Sequence, residues 1–473
     1  MPDTYKPLSI AVTNTFRSLV LSTYPALKEH DNAAVYMRIM QYVLFSTFVD
    51  ERTGSIIVPY KTIAALVGMN PHNHRFKALT WLEDFNRDVL LLNTEEYVYS
   101  QGWARTITPQ IALEIMAAKR LDSTNDEPGE VWFLDGSLVS RRGLQAQRRE
   151  YEEYLRSLSV AMTEKHPAYP LMQYLLGQPP DTLKKVLKQN WPAVKDAVKA
   201  MPAGTAEEQG TRNWCERVLV NLNMFQGIYY TGSDKTPRIF SVGATVHLLP
   251  RGLRKLAFTG QVECDLRACQ LAVVARLWDI EPLQTFLKSG ANIWDELLSW
   301  VGMPPVFKGI IKRTVYSIVF GMGRRNLLKQ LAEGDFQSAG IGKLNAQKFF
   351  KHSLIQSLLE ARGRQQQVVD SNNGCKDAWG IWLDASHDYE TRRKNLPSVL
   401  ACVVQSYELR IMLSILPVLK SNPQIYLLSW LHDGVTLHFG NISKRERQLV
   451  QLKRAIQVEA ESLGMETWLE VES

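Results

Sequence analysis

Apolar positions along this chain recur at two spacings, and the spacing predicts the elements. Recurrence at three and four predicts helices over 32–48, 61–69 and 74–89, with Phe76, Leu79, Leu82 and Phe85 facing inward in the third. A short β-branched run, Ile56–Tyr60, follows the turn signal Thr53-Gly54 and predicts a strand. Residues 97–107 read as two strands of a hairpin. Helix, glycine-containing turn, helix and hairpin in that order resemble a winged helix-turn-helix, in which Arg75 and Lys77 open the recognition helix. His72 and His74 fall in the loop before it and read as loop residues, not metal ligands.

Residues 122–129 are polar, contain Pro128-Gly129 and predict a linker. An amphipathic helix is expected over 138–163, with Arg141, Arg142, Arg148 and Arg149 near its start. The prolines of 167–180 are expected to interrupt helix, and further helices are expected at 181–199 and 205–227. Residues 261–265 predict a strand ending at Asp265, and 266–278 a helix with Leu271, Val274, Ala275 and Trp278 inward. The runs 426–431 and 435–439 flank His432-Asp433-Gly434; the second alternates with period two, and Asp-Gly predicts a hairpin turn from which Asp433 projects.

The stretch 308–321 is the most suggestive. Lys308, Lys312, Tyr316 and Phe320 are spaced by four, so on a helix they share one face, with cations at one end and rings at the other. Such a face suits a triphosphate beside a flat base, and equally suits a core helix whose lysines reach out to water. Two carboxylates, Asp265 and Asp433, brought opposite the two lysines would meet the needs of phosphoryl transfer by two metal ions.

Charge narrows the choice. The chain has 473 residues, with 55 Lys and Arg against 48 Asp and Glu. Residues 1–125 carry 12 of each sign and residues 126–230 carry 13 of each, so 231–473, with 30 basic and 23 acidic residues, carries the whole excess of +7. A polyanion is therefore expected at the C-terminal half. Five scattered cysteines without a Cys-x-x-Cys pair point away from a disulfide framework or structural zinc. No run of about 18 apolar residues is evident, and no membrane association is expected.

At these residues the chain resembles the palm and fingers of family A DNA polymerases and the related phage-type single-subunit RNA polymerases. Thr236-Pro237-Arg238-Ile239-Phe240-Ser241 resembles the Thr-Gly-Arg-Leu-Ser-Ser segment that touches primer–template. Asp265-Leu266-Arg267-Ala268-Cys269-Gln270 resembles motif A, whose metal ligands are the aspartate and the next carbonyl. Lys308, Lys312, Tyr316, Phe320 and Gly321 match the spacing of motif B. Val403-Val404-Gln405-Ser406 resembles the helix that lines the nascent duplex, His432-Asp433 matches motif C, and 464–471 resembles the last strand.

The resemblance implies an α+β right-hand polymerase with a small antiparallel palm sheet and helical fingers and thumb, preceded by a winged-helix-like domain. The expected divisions are 1–125 for that domain, 126–235 for a helical linker or thumb-like region, and 236–473 for palm and fingers, the fingers at about 280–370. It implies Asp265, Asp433 and Lys312 as catalytic, with metal held by Asp265, Leu266 and Asp433. Lys308, Tyr316, Phe320, Gly321 and Gln270 would bind the nucleotide, and Arg238, Gln405 and His432 the primer–template. The cofactor implied is magnesium, two ions, with manganese as a substitute.

Departures leave the sugar open. Gln270 replaces the glutamate that excludes the ribose 2′-hydroxyl, Phe320 replaces tyrosine, Gly434 replaces glutamate or serine, and Lys308 replaces arginine. No Asp-x-Glu proofreading signature is seen, and no exonuclease is expected. The leading expectation is a compact cytoplasmic DNA polymerase or primase-polymerase, in a bacterial or phage-infected cell, replicating a plasmid, phage or other mobile element. Its partners would be DNA primer–template and nucleoside triphosphates, with origin DNA bound through 61–89. The alternatives are a single-subunit RNA polymerase or primase, and an origin-binding replication initiator whose polymerase half is inactive.

Overall fold

The computed structural model describes residues 12–46, 56–69, 75–89, 92–99, 102–109, 131–132, 138–224, 227–233, 236–331, 342–385 and 396–472. The chain begins with helices α1 (Asn14–Thr23), α2 (Ala26–Glu29) and α3 (Ala33–Phe45). Then follow β1 (Ile56–Pro59), α4 (Tyr60–Leu66), α5 (Arg75–Asp88), β2 (Leu92–Tyr99), β3 (Gly102–Pro109), β4 (Val131–Trp132) and β5 (Leu138–Val139). The middle of the chain is helical: α6 (Arg141–Val160), α7 (Tyr169–Leu176), α8 (Pro180–Lys199) and α9 (Ala206–Met224). Strands β6 (Tyr229–Ser233) and β7 (Thr236–Val242) and helix α10 (Arg251–Ala257) lead to β8 (Val262–Leu266). After it come α11 (Cys269–Leu277), α12 (Glu281–Lys288), α13 (Ile293–Val301), α14 (Lys308–Val319), α15 (Arg324–Gln330), α16 (Gly342–Phe349) and α17 (Ser353–Ser371). The chain closes with β9 (Gly374–Lys376), β10 (Trp382–Asp384), α18 (Leu396–Leu413), α19 (Leu416–Ser421), β11 (Ile425–Leu431), β12 (Gly434–Phe439), α20 (Arg445–Ser462) and β13 (Leu469–Val471).

Two compact units result. The first comprises 1–161, 179–231 and 241–259; the second comprises 162–178, 232–240 and 260–473. In the first, β1, β3 and β2 form an antiparallel sheet in that order, with Ile56 opposite Ile107 and Tyr99 opposite Gly102. Its core gathers Tyr36, Ile39, Met40 and Leu44 of α3 with Ile56, Val58, Ile63 and Phe85. The expected inward positions Leu82 and Phe85 are buried there; Phe76, Leu79, the linker at 122–129 and the loop histidines fall outside the side chains or residues described.

Local chemistry adjusts two expected boundaries. Helix α6 starts at Arg141 because the Ser140 hydroxyl accepts from Gly143 N–H at 3.1 Å, a cap the apolar pattern does not reveal. Helix breaks at 161–168 and 177–179, where Pro167 and Pro179 lie, but two of the prolines also open helices: Pro170 sits in the first turn of α7 and Pro180 opens α8, where a missing N–H costs nothing.

The C-terminus of α3 shows how the first unit is tied together. Its last carbonyls have no intrahelical donors. Arg217 of α9 donates Nη1 to the carbonyls of Val43 and Ser46, and Asn221 Nδ2 donates to Phe45 O at 2.9 Å. Arg217 is buried, and no carboxylate among the described residues pairs with it. Burial pulls its pKa down to about 10, so it stays charged at pH 7, with the negative end of α3 as counter-charge.

In the second unit, β11, β12, β8 and β13 form an antiparallel sheet in that order. Helix α18 packs on α11, α17 and α20; α14 packs on α13 and α17. Contrary to the expectation from composition, Leu396–Ser421 is long and apolar enough to cross a membrane by those criteria. It is 61% buried within the protein and carries buried Glu408, as a core helix does.

Replacing Arg217 by Met should lower stability by about 1–3 kcal/mol, through carbonyls left without donors, and lower the melting temperature by several degrees. Thermal unfolding followed by circular dichroism measures this.

Candidate active site

Strand pairing brings the two predicted carboxylates together across 168 positions of sequence. Asp265 lies opposite Gly434 on β12, and Glu470 of β13 lies on its other side. Leu266 N–H donates to the carbonyl of Asp433 at 2.8 Å. The hairpin differs from its sequence reading by one residue: Leu431 pairs with Gly434, so His432 and Asp433 make the two-residue turn and Gly434 already belongs to β12. His432 takes a φ of +65°, the turn geometry usually left to glycine or asparagine. Gly434 is needed for another reason. A Cβ built there would lie 3.3 Å from both Asp265 Oδ1 and Cys264 O, so a side chain would press on the carboxylate.

Both carboxylates are pushed above the usual range, by burial first. Asp433 then raises Asp265 further, and Lys312 opposes the shift at each. Lys312 thus faces the acidic pair from α14. Its Nζ lies 5.7 Å from the Tyr316 ring centre and 6.0 Å from that of Trp294. Tyr316 and Phe320 follow on the same face with ring centres 6.5 Å apart, and the Tyr316 hydroxyl is raised by burial and then by Asp433 and Glu408. Lys308 sits exposed at the outer end of the helix.

Gly321 ends α14. Its φ is +93°, its N–H donates to Ile318 O at 3.0 Å, and Met322 N–H donates to Ser317 O at 2.9 Å, the paired bonds of a Schellman cap. A Cβ at 321 would fall 2.6 Å from Pro397 Cβ. The glycine expected at the nucleotide is accounted for by helix termination and close packing.

The residues expected to grip primer–template form a connected cluster. Thr236 Oγ1 donates to Gln405 Oε1 at 2.6 Å. Arg238 donates through Nε at 3.0 Å and Nη2 at 2.6 Å to Oε1 of Glu408. Gln270 donates Nε2 to the other oxygen, Oε2, at 2.8 Å. Glu408, 1% exposed, therefore ties Arg238 and Gln270 together. Gln270 Oε1 and His432 Nδ1 are buried without hydrogen-bond partners among the described residues. Burial and the Arg238 cation hold His432 down at about 4, so its ring is neutral at pH 7. The Phe240 ring stands edge-on to it at 5.4 Å.

Glu408 was missed in the sequence. Its only signal is a lone acid, three residues past Gln405, in an otherwise apolar helix. Two of the five Arg238 donors are spent on Glu408 inside the protein, a tie the sequence did not reveal.

Among the described residues, no group of three or more His, Cys, Asp or Glu is arranged to hold a metal. The donors at hand are the Asp265 and Asp433 carboxylates, the adjacent Leu266 carbonyl and the negative charge of nearby Glu472. That set fits magnesium, which is held by one or two carboxylates while waters and substrate phosphates complete its octahedron. Two buried acids with raised pKa values, opposed by one lysine, also form a site that a cation would relieve.

No protein-family model and no curated protein sequence matches the chain. Among solved structures, the POL domain of Pol1 from M. smegmatis, in complex with DNA primer-template and dNTP, aligns with 69% of this chain and 72% of that one. The identity is 12% and the TM-score 0.44, a likeness too loose to assign a family or an activity.

A raised carboxyl pKa means the folded state holds its proton more tightly than the unfolded chain. Asp265 and Glu408, both near 7 against an ordinary value of about 4, should therefore cost stability as pH rises from about 4 through 7. The melting temperature of the Asp265→Asn variant should fall less over that range than that of the unaltered protein. Added magnesium or manganese should raise the melting temperature more at pH 8 than at pH 5, and the increment should vanish in the Asp265→Asn/Asp433→Asn double variant.

Proposed function

We propose that this chain is a template-directed nucleotidyltransferase, a DNA polymerase. The observation that carries the reading is the Asp265–Asp433 pair, brought together where β8 meets the turn that opens β12, with Lys312 facing both. When bound at Asp265, Asp433 and the Leu266 carbonyl, two magnesium ions would supply Lewis-acid activation of the attacking hydroxyl and charge neutralisation at the leaving pyrophosphate.

Lys312 places a positive charge where a triphosphate becomes more negative, and its position between the carboxylates and the rings suits proton delivery to the leaving group. Lys308, at the exposed end of the helix, meets the distal phosphates as a point charge. Tyr316 and Phe320 offer ring faces to the incoming base. Gln405, His432 and the remaining Arg238 donors hold the primer–template, while Glu408 keeps Arg238 and Gln270 in register. The unpaired Oε1 of Gln270 is an acceptor to which a ribose 2′-hydroxyl can donate, and Phe320 has no hydroxyl with which to sense the sugar. This supports extending the proposal to a primase-polymerase that takes both sugars.

The Asp433→Ala variant should lose primer extension by at least a thousandfold while keeping its affinity for primer–template. Retention of extension would sink the assignment. Labelled-nucleotide incorporation and filter binding read the two properties separately.

We extend the proposal to 33–109. Helix α3, strand β1, helices α4 and α5, and the β2–β3 hairpin follow one another in winged-helix order, and the β1-β3-β2 sheet suits that reading. In it, α5, opening at Arg75, contacts origin DNA of a plasmid or phage in the cytoplasm of its host. The Arg75→Ala/Lys77→Ala variant should weaken duplex binding several-fold with a lower salt dependence, and leave extension of a saturating, pre-annealed primer within about twofold. Equal duplex affinity across a salt titration would remove this part.

A further inference from the structure

The hairpin β9–β10 presents two tryptophans that the site above does not use. Trp382 is 51% exposed, Trp379 38% and Ile381 between them 49%. Neither indole stacks on a ring or a cation, and neither ring N–H has a hydrogen-bond acceptor, among the described residues. Exposed side chains of this size commonly rest on a mobile loop. Here the backbone beneath them is tied down on every side.

Asp377 Oδ1 accepts from Trp379 N–H at 2.9 Å and from Ile381 N–H at 2.8 Å, and Asp377 N–H donates to Ile381 O at 2.9 Å. The turn is then clamped to α18. Ser406 Oγ accepts from Ala378 N–H at 3.0 Å, and Arg410 Nη1 donates to Ala378 O at 2.9 Å. Leu383 and Cys375 point inward against Val369, Val399 and Leu400. Trp382 points outward, opposite Lys376.

The indole of Trp382 also has a built seat. A Cβ placed on Gly374, diagonal to it across the hairpin, would fall 2.8 Å from indole carbons Cε2 and Cζ2. Gly374 has a φ of +151° and leaves the room in which the ring lies. One side of the indole is therefore sealed against backbone while the residue stays half exposed. Lys376 lies directly across the hairpin from Trp382, and Asp384 lies two residues along the same strand, away from the turn.

We propose that Trp382 and Trp379 form a stacking platform for the bases of an unpaired nucleic-acid strand. The inference rests on the nucleic-acid reading of the second unit but not on its chemistry. Three observations favour this occupant over a protein. The segment 231–473 holds the whole positive excess of the chain. Rigid, outward indoles beside a lysine suit bases, whose flat faces any sequence provides. The turn is anchored at Ser406, the neighbour of Gln405, so the platform stands on the same helix that lines the candidate active site. A base inside a duplex already has both faces covered, so the platform selects a single strand, such as template not yet copied or a strand being displaced.

Fluorescence anisotropy with the full chain tests this, using a labelled oligodeoxythymidine of about 12 nucleotides and a blunt hairpin duplex of equal charge. The Trp379→Ala/Trp382→Ala variant should bind the single strand roughly tenfold more weakly, as loss of one or two stacks requires, and bind the duplex as before. Its salt slope should not change, because no phosphate contact is removed. The Trp382→Phe variant, which keeps a ring, should recover most of the affinity relative to Trp382→Ala, which also separates stacking from damage to the fold. Unchanged single-strand affinity, or an equal loss on both probes, overturns the proposal. So does a dimer of the unaltered protein that the double alanine variant abolishes, since a second copy would then be the occupant. The Asp433→Ala variant should retain full single-strand affinity. Unchanged single-strand affinity of the double alanine variant, with the unaltered protein extending a short primed template, therefore sinks this inference alone, and absence of extension in the unaltered protein sinks only the polymerase reading.

Discussion

The antiparallel pairing of β8 with β12 is the constraint on which the candidate site depends. It sets Asp265 opposite Gly434, joins Leu266 to Asp433 through the backbone, and makes any side chain at 434 a tight neighbour of the Asp265 carboxylate. Two like charges are thereby held close in a low-dielectric place, which neither would choose alone. Their raised pKa values are the measure of that cost, and Lys312 offsets part of it. Positive charge brought to the pair would lower that cost further.

Helix α18 distributes this constraint to its surroundings. Gln405 meets Thr236, Glu408 meets Arg238 and Gln270, and Ser406 with Arg410 fixes the tryptophan hairpin. These contacts leave the helix in different directions, so a stretch apolar enough to pass for a membrane span is a core helix with polar attachments. Glu408 shows the expense of such a role. It is buried and ionisable, and it is tolerable because three donors from Arg238 and Gln270 satisfy its two oxygens. In the first unit Arg217 is the counterpart, a buried cation satisfied by the end of α3 instead of by an acid.

Much of the layout was legible in the chain itself. The face formed by Lys308, Lys312, Tyr316 and Phe320 depends only on a repeat of four, and the helix ends where Gly321 must end it. Period-two alternation placed β12, and the hairpin ahead of it was marked by Asp433-Gly434 even though the turn itself is His432-Asp433. Capping was less legible, since Ser140 and the helix-opening Pro170 and Pro180 act through single hydrogen bonds or a single ring that periodicity averages away.

The sequence by itself determined the local elements and the residue types able to carry phosphoryl-transfer chemistry, because helix and strand periods are short-range properties. Tertiary structure decided which of those residues meet. Asp265 and Asp433, Gln270 and Glu408, and Ser406 and Ala378 are joined by strand pairing or helix packing. It also decided what burial does to them: it raises the acids, neutralises His432, and ties Arg238 to a glutamate that no motif announced. Desolvation and long-range hydrogen bonding depend on what surrounds a group in space, and a one-dimensional pattern does not contain that.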